Sequence, residues 1–314
     1  MSYRSVLSMT CVLVSGATLL APEPARAITS YWALQDANGT WNNPDNWNNG
    51  VPKNPGDIAV ITNNAGIATT RTITIDTAVS LKALKFGVPT GSAQTAFAVV
   101  LGTGGSLTMD SGGTSNAVVQ QMKGSARCKV DAVMTLSNDL DIVASTSSGT
   151  YFEFSKPITG NFSVNINPEG SGGTPYMGGA NTFIGNLNIF KGQLMISGSD
   201  SVFGSLTGGT RVITFYTNAS FRNNGSLSVL GTNRQFVAGS GGGNYIVHSK
   251  NVSLPSPNQL AGGATFTLST DSGWASNNVF SINAANDEFT GTFLLSANVT
   301  LKFGGLGAVD HCPL

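Results

Sequence analysis

Residues 180–198, "ANTFIGNLNIFKGQLMISG", and residues 285–305, "ANDEFTGTFLLSANVTLKFGG", decide the fold class of this chain. Each begins with Ala-Asn and brings in an aromatic, one further residue and a glycine: Phe183 and Gly185 in the first, Phe289 and Gly291 in the second. Alternating apolar residues follow, Leu187 and Ile189 against Phe293 and Leu295. A small turn, with Gly192 in the first copy and Asn298 in the second, leads into another alternating strand, which opens through Leu194 in the first. Residues 158–166, "ITGNFSVNI", repeat the first half. A unit of about twenty residues, two short strands and a turn, cannot bury its own apolar side, whereas stacked copies complete one another's core.

The remainder of the chain has the same texture. "RTITIDT" at 71–77 puts Ile73 and Ile75 on one face and Thr72, Thr74 and Asp76 on the other, the two-residue period of a half-buried strand. Charged residues make up 10% of the chain and glycines number 39, whereas ordinary soluble domains are roughly 25% charged. The Glu, Lys, Gln and Arg that would cover exposed helix faces are scarce. Asn, Ser, Thr and Gly suit tight turns and stacked side-chain ladders instead. The predicted fold is all-β, and the internal repeat makes it a solenoid.

The repeat resembles the autotransporter-associated β-strand repeat (the passenger-associated transport repeat), whose pattern runs Asn-Thr-aromatic-x-Gly-x-Thr-x-Ile and then Gly-x-Leu. Residues 181–194 follow that pattern through Asn181, Phe183, Gly185, Leu187, Ile189, Gly192 and Leu194, with Asn188 at a small polar position. The second copy departs from it at Asp287, Glu288 and Asn298. "GTWNNPDNWNNGVPKNPGD" at 39–57 is similar to the start of exported proteins that carry these repeats, through Trp41, Asn46, Trp47, Gly50, Pro52, Gly56 and Asp57. The resemblance implies a right-handed parallel β-helix on an exported surface protein. It also implies an outer-membrane translocator that this chain does not contain.

Roughly a dozen coils at ~4.8 Å spacing would make a rod on the order of 55–60 Å long. An open end of such a rod invites strand addition. An aromatic-rich N-terminal cap is therefore expected, with Trp41 and Trp47 folded over the mouth and Pro52 and Pro55 blocking further strands. The expected division is a signal peptide at 1–27, the cap region at 28–70, the β-helix at 71–305 and an irregular or truncated tail at 306–314.

Arg4, the apolar run at 6–20, and Ala25 and Ala27 at the −3 and −1 positions have the form of a secretory signal peptide cut after Ala27. Its apolar core is too short for a permanent anchor. The expected location is secreted or cell-surface. Without Arg4, Arg26 and Glu23 the chain holds 14 basic and 15 acidic residues, a balance that argues against nucleic acid and anionic membrane as partners. No later stretch is long and apolar enough to span a bilayer. Cys128 and Cys312, distant in sequence, are read as unpaired.

Active chemistry has few candidates. Asp139 and Asp141 in "NDLDI" would project from one face about 7 Å apart on an extended strand. That separation suits glycosidic hydrolysis, so they are the catalytic candidates of a β-helix polysaccharide lyase or glycoside hydrolase. A solvated strand face is the plainer reading. Lys129 and Arg127 lie near in sequence, with nothing to show that they converge. Trp41, Trp47 and Trp274 are the binding candidates of a glycan-binding module. No cofactor or metal is expected, because His248 and His311 are isolated and the glycine-rich tracts lack the aspartates of a calcium repeat. The leading expectation is a structural or adhesive surface protein, with surface glycans or another cell-surface component as partner. The enzyme and the glycan-binding module are the alternatives.

Overall fold

The computed structural model describes residues 26–34, 37–61, 70–87, 97–122, 127–144, 152–217, 219–224, 227–247, 251–270 and 278–304. Most of the predicted signal peptide, the tail at 306–314, Trp274, both histidines and Cys312 lie outside them. Among the described residues every pairing between strands is parallel. One sheet has ten strands, from Thr29–Tyr31 through Ile58–Ile61 and Ala83–Phe86 to Leu260–Ala261. A second has eleven, from Gly39–Thr40 through Arg71–Ile75 to Phe293–Leu295. A third face carries four strands from Ala78–Leu81 to Ile158–Thr159, then three from Val252–Leu254 to Val299–Phe303.

The chain visits these faces in a fixed order. Arg71–Ile75 lies in the second sheet, Ala78–Leu81 on the third face, Ala83–Phe86 in the first sheet, and Phe97–Leu101 in the second again. The molecule is a parallel β-helix. The eleven described strands of the second sheet, at ~4.8 Å spacing, give a stack on the order of 50 Å, somewhat shorter than a dozen coils would make.

Alternation in the sequence becomes an inside and an outside. Ile73, Val99, Val130 and Phe154 share one inward column of the second sheet and are 1% exposed or less. Toward the C-terminus the filling turns aromatic, with Phe215, Phe236 and Phe266 in mutual ring contact at 5.6–6.5 Å between centroids. Such contacts add about 0.5–1.5 kcal/mol each beyond burial.

The repeated segments relate to one another in two different ways. Val164 and Ile166 lie directly beneath Leu187 and Ile189, 23 residues on, so residues 158–166 and 181–189 are successive rungs. The copy at 285–305 is displaced by one face. Leu187–Ile189 and Gln193–Ile196 occupy the first and second sheets, whereas Phe293–Leu295 and Val299–Phe303 occupy the second sheet and the third face. What recurs is a corner. Asn181 accepts the Ile158 N–H (2.8 Å) and donates to the Val202 carbonyl (2.7 Å); Asn286 accepts the Leu260 N–H (2.7 Å) and donates to the Ala284 carbonyl (2.8 Å). Phe183 and Phe289 are fully buried beside them. Asn298, at φ +67°, adopts the left-handed conformation that Gly192 adopts at +71°, as a short polar side chain can. Leu295 departs from its counterpart: Ile189 is buried, but Leu295 is 45% exposed on the last described strand of its sheet.

A Cβ on Gly185 would stand 2.4 Å from the backbone carbon of Phe162, and one on Gly291 2.0 Å from the Ala264 carbonyl oxygen. The rungs touch backbone to backbone at these points. Gly185→Ala is expected to cost about 2–3 kcal/mol by forcing them apart. Gly209→Ala, whose Cβ would meet nothing within 4 Å, should change stability by less than about 0.5 kcal/mol. Urea denaturation of the two variants measures the contrast.

Midway along the third face the 3₁₀ turn Asp200–Phe203 stands in place of a strand. Its carboxylate holds the wholly buried side chain of Arg234, with Nε to Oδ2 at 3.0 Å, and accepts the Gly231 N–H at 2.9 Å. Three further guanidinium hydrogens go to the carbonyls of Ser205 (2.7 Å), Gly204 (2.9 Å) and Asp200 (3.3 Å). Arg211 stacks on Arg234 in register, 8% exposed. Burial pulls the Arg234 pKa below its usual value, Asp200 opposes that shift, and Arg211 adds to it by repulsion.

The N-terminal end is closed. Residues 46–48 run antiparallel to the free edge of Thr29–Tyr31: the Ala33 N–H donates to the Asn46 carbonyl (2.8 Å) and the Asn48 N–H to the Tyr31 carbonyl (3.1 Å). Asn48 Oδ1 takes the Tyr31 N–H (2.9 Å), and Asn49 Nδ2 donates to the Thr29 carbonyl (3.0 Å). An edge occupied in the antiparallel sense offers nothing to another parallel strand. Beneath this strap Trp47 packs edge-on to Trp32 at 5.1 Å and tilted on Trp41 at 4.7 Å. The indole N–H of Trp47 donates to the Trp41 carbonyl (2.7 Å), and that of Trp41 to the Pro52 carbonyl (2.8 Å). The asparagines, not Pro52 and Pro55, block the edge. The two prolines lie in the connection that follows the strap, where Pro55 abuts Gly112.

Candidate functional site

Asp139 and Asp141 lie at the start of one strand, and each spends an oxygen on the fold. Asp139 precedes the strand Leu140–Val143; its Oδ1 accepts the Ser163 N–H of the next rung at 2.8 Å. Asp141 Oδ1 accepts the side-chain amides of Asn116 and Asn165, both at 2.8 Å, and Asn188 donates onward to Asn165 Oδ1 at 2.9 Å. Asp141 is thus one step of an amide ladder running along the outside of the first sheet. Ladders of this kind are what the Asn-rich composition supplies.

Neither described tryptophan candidate presents a stacking face. Trp41 is 0% exposed and Trp47 5%; the two rings pack on one another, and Trp47 also meets Trp32. Trp274 lies outside the described residues.

A constellation that the sequence did not expose forms on the outer face of the second sheet. Lys129 and Asp131 point outward from Lys129–Asp131, and Glu153 from Phe152–Phe154, the next rung. Lys129 Nζ lies 3.5 Å from Asp131 and 3.4 Å from Glu153. Arg127 closes on Glu153 at 2.6 Å, and Lys156 approaches Asp131 at 3.7 Å. Arg127 and Lys129 do converge, but on Glu153 at the second sheet, whereas Asp141 stands on the first. The rung spacing makes these neighbours, and the outward alternation of Lys129, Asp131 and Glu153 was the available signal. Beside them a shallow groove of about 290 Å³ is lined by Val100, Leu101, Asp131, Ala132, Val133 and Lys156. A second groove of about 290 Å³, on the outside of the first sheet, is lined by Thr29, Tyr31, Ile58, Val60, Lys85 and Met122.

The electrostatics of this cluster suit cohesion better than acid–base work. The hydrogen bond from Ser155, together with Lys129 and Lys156, holds the Asp131 carboxyl below its ordinary value of 3.8 against the opposing effect of burial. A general acid at neutral pH needs a shift in the other direction. A depressed folded-state pKa contributes stability above the unfolded value, and that contribution fades as pH falls through the folded value. Asp131→Asn is therefore expected to lower stability at pH 7 by at most about 1 kcal/mol, given its solvent screening. The difference from wild type should shrink below pH 3.8 and vanish in more acidic solution. Denaturation at several pH values measures it.

Among the described residues no group of three or more His, Cys, Asp and Glu could hold a metal ion. Among them, too, no helix is long and apolar enough to cross a membrane. Cys128 is fully buried, and Cys312 lies outside the described residues. No protein-family model, curated protein or solved structure matches the chain.

Proposed function

We propose that this chain is an exported structural or adhesive surface protein, an autotransporter-passenger-like β-helix whose work is to form a stable rod outside the cell. One observation supports this reading above the others. The side chains singled out for chemistry (Asp139, Asp141, Trp41 and Trp47) are engaged in joining rungs or closing the N-terminal end. The near-neutral charge, the Asn and Thr ladders and the repeat at 181–194 fit the same role. In this reading the leader is removed after Ala27, the rod is secreted or held at the cell surface, and surface glycans or another cell-surface component are its partners.

The test is expression with the native leader in a Gram-negative host, followed by fractionation and protease shaving of intact cells. The expected product is outside the cytoplasm, shortened at its N-terminus and accessible to added protease. A full-length product confined to the cytoplasm would remove this reading. Degradation of an extracellular polysaccharide that is lost in Asp139→Asn or Asp141→Asn would replace it with the enzymatic one.

A further inference from the structure

We propose that leader removal creates an internal ion pair: the α-ammonium of Ile28 docks on the buried carboxylate of Asp57 and locks the N-terminal rung. This rests on cleavage after Ala27, which is part of the proposed function, but the geometry that carries it is independent of the route of export.

Asp57 is 1% exposed. Its Oδ2 accepts the backbone N–H groups of Lys53 and Asn54, both at 2.9 Å, and its Oδ1 accepts the N–H of Ile28 at 2.8 Å. All three donors are neutral amides. The nearest lysine in sequence, Lys53, turns its Nζ toward Asn42 Oδ1 at 3.4 Å instead. Among the described residues this buried carboxylate is served only by neutral donors and lacks the partner that buried charges ordinarily have. The atom lying against Oδ1 is the one that changes character on cleavage. Hydrolysis adds water across the Ala27–Ile28 bond: Ala27 leaves with the leader as a carboxylate, and the Ile28 nitrogen becomes an amine. With an ordinary pKa of about 7.7–8.0, that amine is protonated at neutral pH and pairs with Asp57.

The position is prepared on both sides. Residues 26 and 27 are exposed, whereas Ile28 is half-buried and its carbonyl accepts the Ile58 N–H at 2.8 Å. Pairing with the next rung therefore starts at the residue that the leader pattern makes the first of the mature chain. Gly56 leaves little space beside Ala27, since a Cβ there would stand 3.2 Å from the Ala27 side chain. Asp57 in turn receives the Lys82 N–H on its own carbonyl at 2.8 Å. A charge pair at Ile28 and Asp57 thus ties the first strand, the strap that follows it and the third rung together.

The experiment uses protein released from a cleavable fusion so that the first residue is Ile28, which retains the whole described fold except two exposed residues. A matched protein begins at Arg26 and keeps Ile28 as an amide. Expected are an unfolding constant at least tenfold smaller for the Ile28 form and the loss of that difference in Asp57→Asn. Equal stability of the two wild-type forms would overturn the proposal, as would a difference that persists in Asp57→Asn. If Asp57→Asn does not fold, Nα-acetylated Ile28 protein takes its place: it should match the Arg26 form, and matching the free-amine form would refute the pairing. N-terminal sequencing of the exported protein tests the cleavage separately. A different mature N-terminus would fail the processing reading while leaving the in vitro comparison intact.

Discussion

Trp47→Ala is expected to lower the unfolding free energy by about 3–5 kcal/mol, the range for emptying a large aromatic site in a packed core. Three contributions are lost together. The indole leaves a void against Trp32 and Trp41, its N–H no longer serves the Trp41 carbonyl, and residues 46–48 lose the anchor that keeps them along the edge of Thr29–Tyr31. The third loss has its own signature. Once the strap loosens, the N–H and C=O groups of that edge are open to pairing with another chain, so the variant should self-associate under conditions in which the wild type stays monodisperse. Chemical denaturation reads the first effect and light scattering at matched concentration the second. A destabilised but monodisperse variant would mean that the tryptophans fill the end of the core without guarding it.

Asp200→Ala should be comparably severe, about 3–5 kcal/mol, because it removes the partner of a buried charge rather than a surface one. Arg234 is wholly buried and Arg211, its register partner on the neighbouring rung, nearly so; without Asp200 the Arg234 guanidinium is served only by carbonyl oxygens. Adding Arg234→Met to Asp200→Ala should recover much of the loss, since an apolar side chain of similar length no longer needs a counter-charge. Thermal unfolding of the single and double variants decides this. If the double variant is no better than the single, the cost lies in the 3₁₀ turn and the lost Gly231 hydrogen bond, not in the charge.

Much of the fold could be read before any coordinates. Alternation in "RTITIDT", the near-absence of helix-forming polar residues and the echo between 158–166 and 181–189 together require short strands stacked rung on rung. Those properties are local, and the physics that reads them is local too: a two-residue period has one buried face, and a unit too small to bury that face must borrow its neighbour's. Gly185 and Asn181 were recognisable as repeat positions, although their work, close backbone approach and a buried amide bridge, needed the neighbouring rung to define it.

The placement of the second copy was not legible. The segments 181–194 and 286–303 carry the same corner, yet they turn different corners of the helix, because the face a strand joins depends on how many residues each intervening turn consumes. From Phe154 to Met177 the advance is 23 residues and from Met177 to Ile196 it is 19, a variation no motif announces. The charge cluster was hidden for the same reason, since Arg127 and Lys129 meet Glu153 only through that register.

The sequence by itself determined that the chain is all-β, repetitive, poor in charge and headed by a leader-like segment, because composition and period act within a few residues. Only the tertiary structure decided which side chains meet across rungs: asparagines seal the first edge, Asp57 receives Ile28, and Asp200 holds Arg234. Those meetings are contacts between residues tens of positions apart, and their pairing is set by stacking register, a property of the assembled coil that no single stretch contains.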